Sequence, residues 1–103
     1  MKFGKKTKMA EFIIADSNRE VIEILADSME RALEKGVERL LISDYDKKYG
    51  NVYGVEKPNS EYEWKELENK LTISAGEFYE YFGHSTCGSA IILKYVREQL
   101  DTL

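Results

Sequence analysis

The most constraining feature of this chain is a pair of short β-branched runs set around a cluster of turn formers. Glu11-Phe-Ile-Ile-Ala-Asp16 is the first run and Val21-Ile-Glu-Ile-Leu-Ala26 the second. Between them lies Asp16-Ser-Asn-Arg-Glu20, whose side chains bond locally to the backbone and favour reversal. Two apolar runs around a turn predict an antiparallel hairpin over residues 11–26, turning at Ser17–Arg19. One long helix competes with it. Ile22, Leu25, Met29, Leu33, Val37 and Leu40 fall at helical spacing, and Ser17 with Glu20 forms a capping box from which a helix could start at residue 18. The hairpin is preferred because Asp27 with Glu30 forms a second box, which a continuous helix would waste, and because β-branching at 21–24 favours a strand.

Helix one is then expected from about Ser28 to Leu41. Gly36 inside it costs about 1 kcal/mol relative to alanine and points to close packing on the sheet. Ser43 to Gly54 is expected to be a loop or turn, and Val52–Glu56 a third strand. Lys57-Pro58-Asn59-Ser60 breaks the chain, and Ser60 with Glu63 caps a helix over about 61–71. Its inner face carries Trp64, Leu67 and Leu71, although alternation of Tyr62 and Trp64 with acids leaves a strand pair open. Ser74 with Glu77 opens a short helix through Phe82, ended by Gly83. Ser85 to Leu100 reads as a final helix, with Ala90-Ile-Ile-Leu93 as a strand alternative. The predicted class is α+β: an N-terminal β-hairpin and helix, a further short strand, then a mainly helical C-terminal half. Residues 1–8 are expected to form a basic, flexible arm and 9–103 a single domain, since 103 residues are too few for two ordinary folds.

Chemistry is sparse. One cysteine, Cys87, precludes an intrachain disulfide, and with one histidine, His84, every Cys/His structural zinc site goes too. Gly83-His-Ser-Thr-Cys-Gly-Ser89 approaches the nucleophile elbow G-x-S-x-G, but Cys87 stands where the second glycine belongs, and the only histidine is next door. A helix entry capped by Ser85 or Thr86 explains the segment, and its free N–H groups would suit a phosphate. Asp44-Tyr-Asp46-Lys-Lys48-Tyr-Gly50 has Lys48 and Tyr49 where a calcium loop needs an oxygen ligand and glycine. No phosphate-binding or dinucleotide glycine motif occurs, and no carboxylate pair stands out among nineteen acids. No catalytic residue, metal or cofactor is therefore expected. No apolar run approaches the roughly 20 residues of a membrane span, and Met1–Lys8 is followed by no apolar signal core, so the cytoplasm is the expected compartment.

Charge is the remaining signal. Lys2, Lys5, Lys6 and Lys8 open the chain without an acid, leaving eleven Lys and Arg against nineteen Asp and Glu, a net −8, in residues 9–103. Glu61, Glu63, Glu66 and Glu68 form the densest acidic stretch. Its plain reading is a solvated helix face; its functional reading is attraction to a basic partner. Seven tyrosines are many for this length. Tyr45, Tyr49 and Tyr53 lie in the polar, glycine-containing connection, where burial in a core is least expected, and tyrosine is a favoured interface residue.

A compact acidic chain without catalytic motif or metal set resembles the small inhibitor proteins encoded by phages, among them anti-CRISPR proteins. The resemblance rests on size and charge over the whole chain and brings no site residues with it. It implies a non-catalytic inhibitor or regulator that blocks a nucleic-acid-handling enzyme; the charge and tyrosine layout, independently of the resemblance, supplies an acidic, Tyr-containing surface with Glu61, Glu63, Glu66, Glu68, Tyr45, Tyr49 and Tyr53 as candidate contacts. Two alternatives remain: a nucleic-acid-associated module using the Lys2–Lys8 arm, against which the acidic body counts, and a small ligand- or phosphate-binding enzyme using residues 83–89.

Overall fold

A computed structural model describes residues 8–16, 20–49, 52–72 and 88–103. Strands β1 (Ala10–Asp16) and β2 (Val21–Ala26) pair antiparallel, with Phe12 opposite Ile24 and Ile14 opposite Ile22. This is the expected hairpin; Ser17–Arg19 lie outside the described residues. The reversal is closed at its base by Asp16 N–H donating to the Glu20 carbonyl at 3.1 Å and Glu20 N–H donating to Asp16 Oδ1 at 3.1 Å. β3 (Val52–Glu56) pairs antiparallel with the other side of β1, so the sheet order is β2-β1-β3.

The central position of β1 explains its composition. Strand residues alternate between faces. Phe12 and Ile14 join one apolar cluster with Ile24, Ala26 and Ala32, while Ile13 and Ala15 join another with Trp64, Ile91, Ile92 and Val96. Both faces are covered, so the strand reads as an unbroken apolar run.

Helix α1 (Met29–Arg39) covers the first face. Its cap is Ser28, whose side chain accepts from Arg31 N–H at 3.2 Å, rather than the expected Asp27. Serine directly before the first helical residue is the one placed to reach that N–H. Gly36 has the predicted role: a Cβ there would lie 2.6 Å from Ile14 Cγ2, so only glycine lets α1 sit this close to the central strand.

The connection expected to be a loop contains a short helix, α2 (Asp44–Lys48), whose cap Ser43 accepts from Asp46 N–H at 3.1 Å. The capping serine was the available signal, and the tyrosines and glycines around it obscured it.

Helices α3 (Glu61–Leu71) and α4 (Gly88–Asp101) cover the second face. Trp64 is buried and Leu67 and Leu71 half-buried against α4, as the sequence predicts, which removes the strand-pair alternative. Ala90–Leu93 are helical, not a strand. All four are buried, with Ile91 and Ile92 in the cluster shared by α3 and the sheet. A helix packed on two sides loses its polar stripe and resembles a buried strand. Close seating recurs at Gly88, where a Cβ would stand 2.5 Å from Tyr53 Cβ and 3.3 Å from the Ala15 carbonyl oxygen. The helix expected from Ser74 to Phe82, the start of the last helix at Ser85, and Gly83–Cys87 with His84 lie outside the described residues, as do Lys2, Lys5 and Lys6.

Candidate functional site

The four acids singled out from sequence all lie on α3, but the fold gives them different work. Ser60 Oγ accepts from Glu63 N–H at 3.2 Å, and Glu63 Oε1 accepts in return from Asn59 N–H at 3.0 Å. Glu63 is thus half of a reciprocal cap, reaching one residue further back than the simplest box. Glu68 faces α4, where Arg97 Nε approaches its Oε2 at 3.5 Å. Glu61 and Glu66 are exposed, and neither makes a hydrogen bond or ion pair among the described residues.

Between them stands Tyr62, 70% exposed. At 100° per residue it lies about 200° around the helix axis from Trp64, on the solvent side. Tyr62 and Glu66 are one turn apart and adjacent on that face. Tyr62 was missed as a candidate, although the inward positions of Trp64, Leu67 and Leu71 already imply its direction. Between the Lys57–Pro58 segment and α3 runs a shallow groove bordered by Glu63, Glu66 and Lys70. Its walls carry both charge signs, so it selects neither an anion nor a cation.

The candidate tyrosines are not gathered beside these acids. Tyr45 and Tyr49 lie on α2 and its C-cap, their rings 4.7 Å apart. There Lys47 shares a groove with Leu33 and Val37 of α1, across the sheet from α3. Tyr53, on β3, pairs with Ala15 of β1 and faces the α4 layer. The seven residues are therefore divided among separate elements.

One further polar cluster crosses the sheet. Glu23 on β2 accepts from Lys57 Nζ at 3.0 Å through Oε1 and from the Tyr95 hydroxyl through Oε2. The Tyr95 hydrogen bond, and then that of Lys57, hold the Glu23 carboxyl below its usual range. Burial, reinforced by the Glu23 carboxylate, pushes the Tyr95 hydroxyl well up, and Glu23 raises Lys57. Each shift favours the form that the group already has at neutral pH. The cluster ties β2, the end of β3 and α4 together, and holds no group poised to exchange a proton near pH 7.

Among the described residues, no group of three or more His, Cys, Asp or Glu is placed to hold a metal ion, and no helix is long and apolar enough to cross a membrane. Comparison with protein-family models, with curated proteins and with solved structures finds no match to this chain.

Proposed function

We propose that this protein is a non-catalytic, protein-binding inhibitor or regulator of the kind that phages direct against nucleic-acid-handling enzymes, and that it presents the outward face of α3 to a basic partner. The observation that carries this reading is the trio Glu61, Tyr62 and Glu66, exposed together, with the two acids unengaged among the described residues. Acids with no internal partner leave their field to solvent, where it steers a basic groove and speeds association. An exposed tyrosine among them supplies the large, rigid surface that such charges lack. Tyr45, Tyr49 and Tyr53 are left out of this contact because they stand on other elements.

The test is binding of nuclease-treated extract proteins, then of the purified partner, to the immobilised full chain. Changing Glu61→Lys together with Glu66→Lys should slow association and flatten its salt dependence. Tyr62→Ala should instead raise the dissociation rate, by about tenfold if about 1.4 kcal/mol is lost. Glu63 and Glu68 are left intact, since one caps α3 and the other joins it to α4. The purified partner should be a nucleic-acid-binding enzyme whose activity falls when the protein is added. A partner indifferent to salt, to the charge reversal and to Tyr62→Ala would show that α3 is not the contact face.

A further inference from the structure

The sheet ends on two unlike edges. Lys57 N–H donates to the Glu11 carbonyl at 2.9 Å, which continues the β1–β3 register by one pair. In an antiparallel ladder, residues alternate between bonding the neighbouring strand and pointing away from it. Tyr53, Val55 and Lys57 therefore bond β1, while Val52, Gly54 and Glu56 turn their N–H and C=O groups outward, where no further strand adjoins β3 among the described residues. The same alternation on β2, fixed by the Asp16 N–H bond to Glu20, turns Val21, Glu23 and Leu25 outward. That edge is guarded. Lys35 Nζ donates to the Leu25 carbonyl at 3.1 Å, and a lysine laid over an edge blocks the addition of a strand. No lysine engages the outward groups of β3 among the described residues. Both cores also stop there. Val55 is half-buried at the margin of the cluster under α3 and α4, Val52 is half-buried at the margin of the cluster under α1, and Tyr53 is 37% exposed beside them.

A row of outward N–H and C=O groups is completed by one kind of occupant, another strand. β3 is complementary to itself. When two copies meet antiparallel about a two-fold axis through Gly54, all five residues pair. Gly54 then faces Gly54 and Val52 faces Glu56, and each such pair exchanges two hydrogen bonds through the groups that already point outward. Tyr53 falls opposite Val55 of the other copy in the closer, non-hydrogen-bonded kind of pair, an aromatic on a β-branched side chain, and the symmetry repeats it. On the opposite face the axis passes between two glycines, so no side chain of the strand obstructs it. Glu56 is the only charged residue of β3. Its two copies lie at opposite ends of the ladder, each beside a valine. The groove next to Glu56 sets Glu63 and Glu66 against Lys57 and Lys70, so backbone pairing rather than charge decides the contact. We infer that β3 pairs with β3 of a second copy of this chain in an isologous contact, giving one sheet in the order β2-β1-β3-β3-β1-β2. A second copy is favoured over a foreign strand because, in the one register that uses the whole strand, every residue of β3 finds its partner in its own sequence and both cores continue across the axis. The inference does not rest on the reading of α3. Five residues a side make a small interface, so the dimer should be reversible and concentration-dependent.

Sedimentation equilibrium of the full chain, combined with amide hydrogen exchange read by NMR, tests it. The wild type should pass from 11.9 kDa toward twice that mass as concentration rises. Over the same range the amides of Val52, Gly54 and Glu56 should gain protection, while those of Val21, Glu23 and Leu25 should not. Glu56→Pro removes an outward donor from both copies, costs no bond of the β1–β3 ladder, and stands where an edge strand accepts proline. It should leave the melting temperature nearly unchanged and weaken dimerisation by about tenfold or more. Tyr53→Lys keeps the backbone as it is and sets a charge against Val55 of the other copy, so it should weaken dimerisation similarly; it keeps the test decisive if the proline variant does not fold. A wild type that stays monomeric up to about 1 mM overturns the inference. So does a dimer whose amides at Val52, Gly54 and Glu56 still exchange freely, or one that the folded variants leave intact. Protection of these amides only on addition of another protein would overturn it in favour of a strand from that protein.

Discussion

Replacing Gly36 by alanine sets two effects of known size against each other. In the helix itself, alanine is better than glycine by about 1 kcal/mol. Against that, the new methyl carbon would lie 2.6 Å from Ile14 Cγ2, 3.2 Å from Ile14 Cβ and 3.3 Å from Ile14 Cγ1. Carbon atoms in contact prefer about 3.5–4.0 Å. Ile14 cannot retreat. It is fully buried on the central strand, with Ile22 and Gly54 opposite it on the two flanking strands, and its branched side chain has little rotamer freedom. α1 would have to lift by about an ångström, which forfeits a quarter to a half of the dispersion energy of each contact along its face. Overpacking of this kind costs about 1–3 kcal/mol, and adding the loosened helix contacts outweighs the propensity gain. The expected result is a net loss of about 1–2 kcal/mol, read from urea unfolding with an unchanged slope. For a chain of this size each 1 kcal/mol lowers the melting temperature by roughly 4–8 °C. Ile14→Ala alone should cost about 2–5 kcal/mol. Combined with Gly36→Ala it should cost less than the sum, because the clashing Cγ2 is gone and the new methyl fills part of the void. A Gly36→Ala protein stabilised by the full propensity gain, or an additive double-mutant cycle, would refute the seating of α1 on Ile14.

Two other perturbations test the ties that position α3 and α4. Ser60→Ala removes the acceptor of Glu63 N–H and should lower stability by about 1 kcal/mol in the same unfolding assay; no change would mean that the cap contributes nothing. Tyr95→Phe removes the donor that does most to hold the Glu23 carboxyl down, so the Glu23 pKa should rise toward its ordinary value in a carboxyl NMR titration. Because the folded pKa of Glu23 is depressed, its contribution to stability is present above the unfolded value near 4.5 and is lost as pH falls through the folded value. In Tyr95→Phe this acid-side loss should shrink, while an unmoved Glu23 pKa would transfer its cause to Lys57.

Much of the architecture is written locally. The turn residues between two β-branched runs specify the β1–β2 hairpin, and Ser60 with Glu63 announces the start of α3. The spacing of Trp64, Leu67 and Leu71 defines its inner face and, by rotation, the outward direction of Tyr62. Even the close approach at Gly36 follows from a glycine standing inside an otherwise good helix. These signals survive in sequence because each arises among residues within about two helical turns or one hairpin of one another.

Tertiary structure decided the rest. That β1 occupies the centre of the sheet depends on β3 returning to its far side, and no residue of β1 encodes that pairing alone. Ala90–Leu93 became helix rather than strand because α4 is enclosed by both the sheet and α3, which erased the polar stripe that marks a surface helix. The four acids of α3 look equivalent along the chain, yet Arg97 on α4 engages Glu68 and the N-terminal cap engages Glu63, leaving Glu61 and Glu66 to solvent. The tyrosines at 45, 49 and 53 are near neighbours in sequence, but a strand boundary sends Tyr53 to the face opposite α1. Periodicity records which way a side chain points from its own element; only packing between elements determines what it meets there.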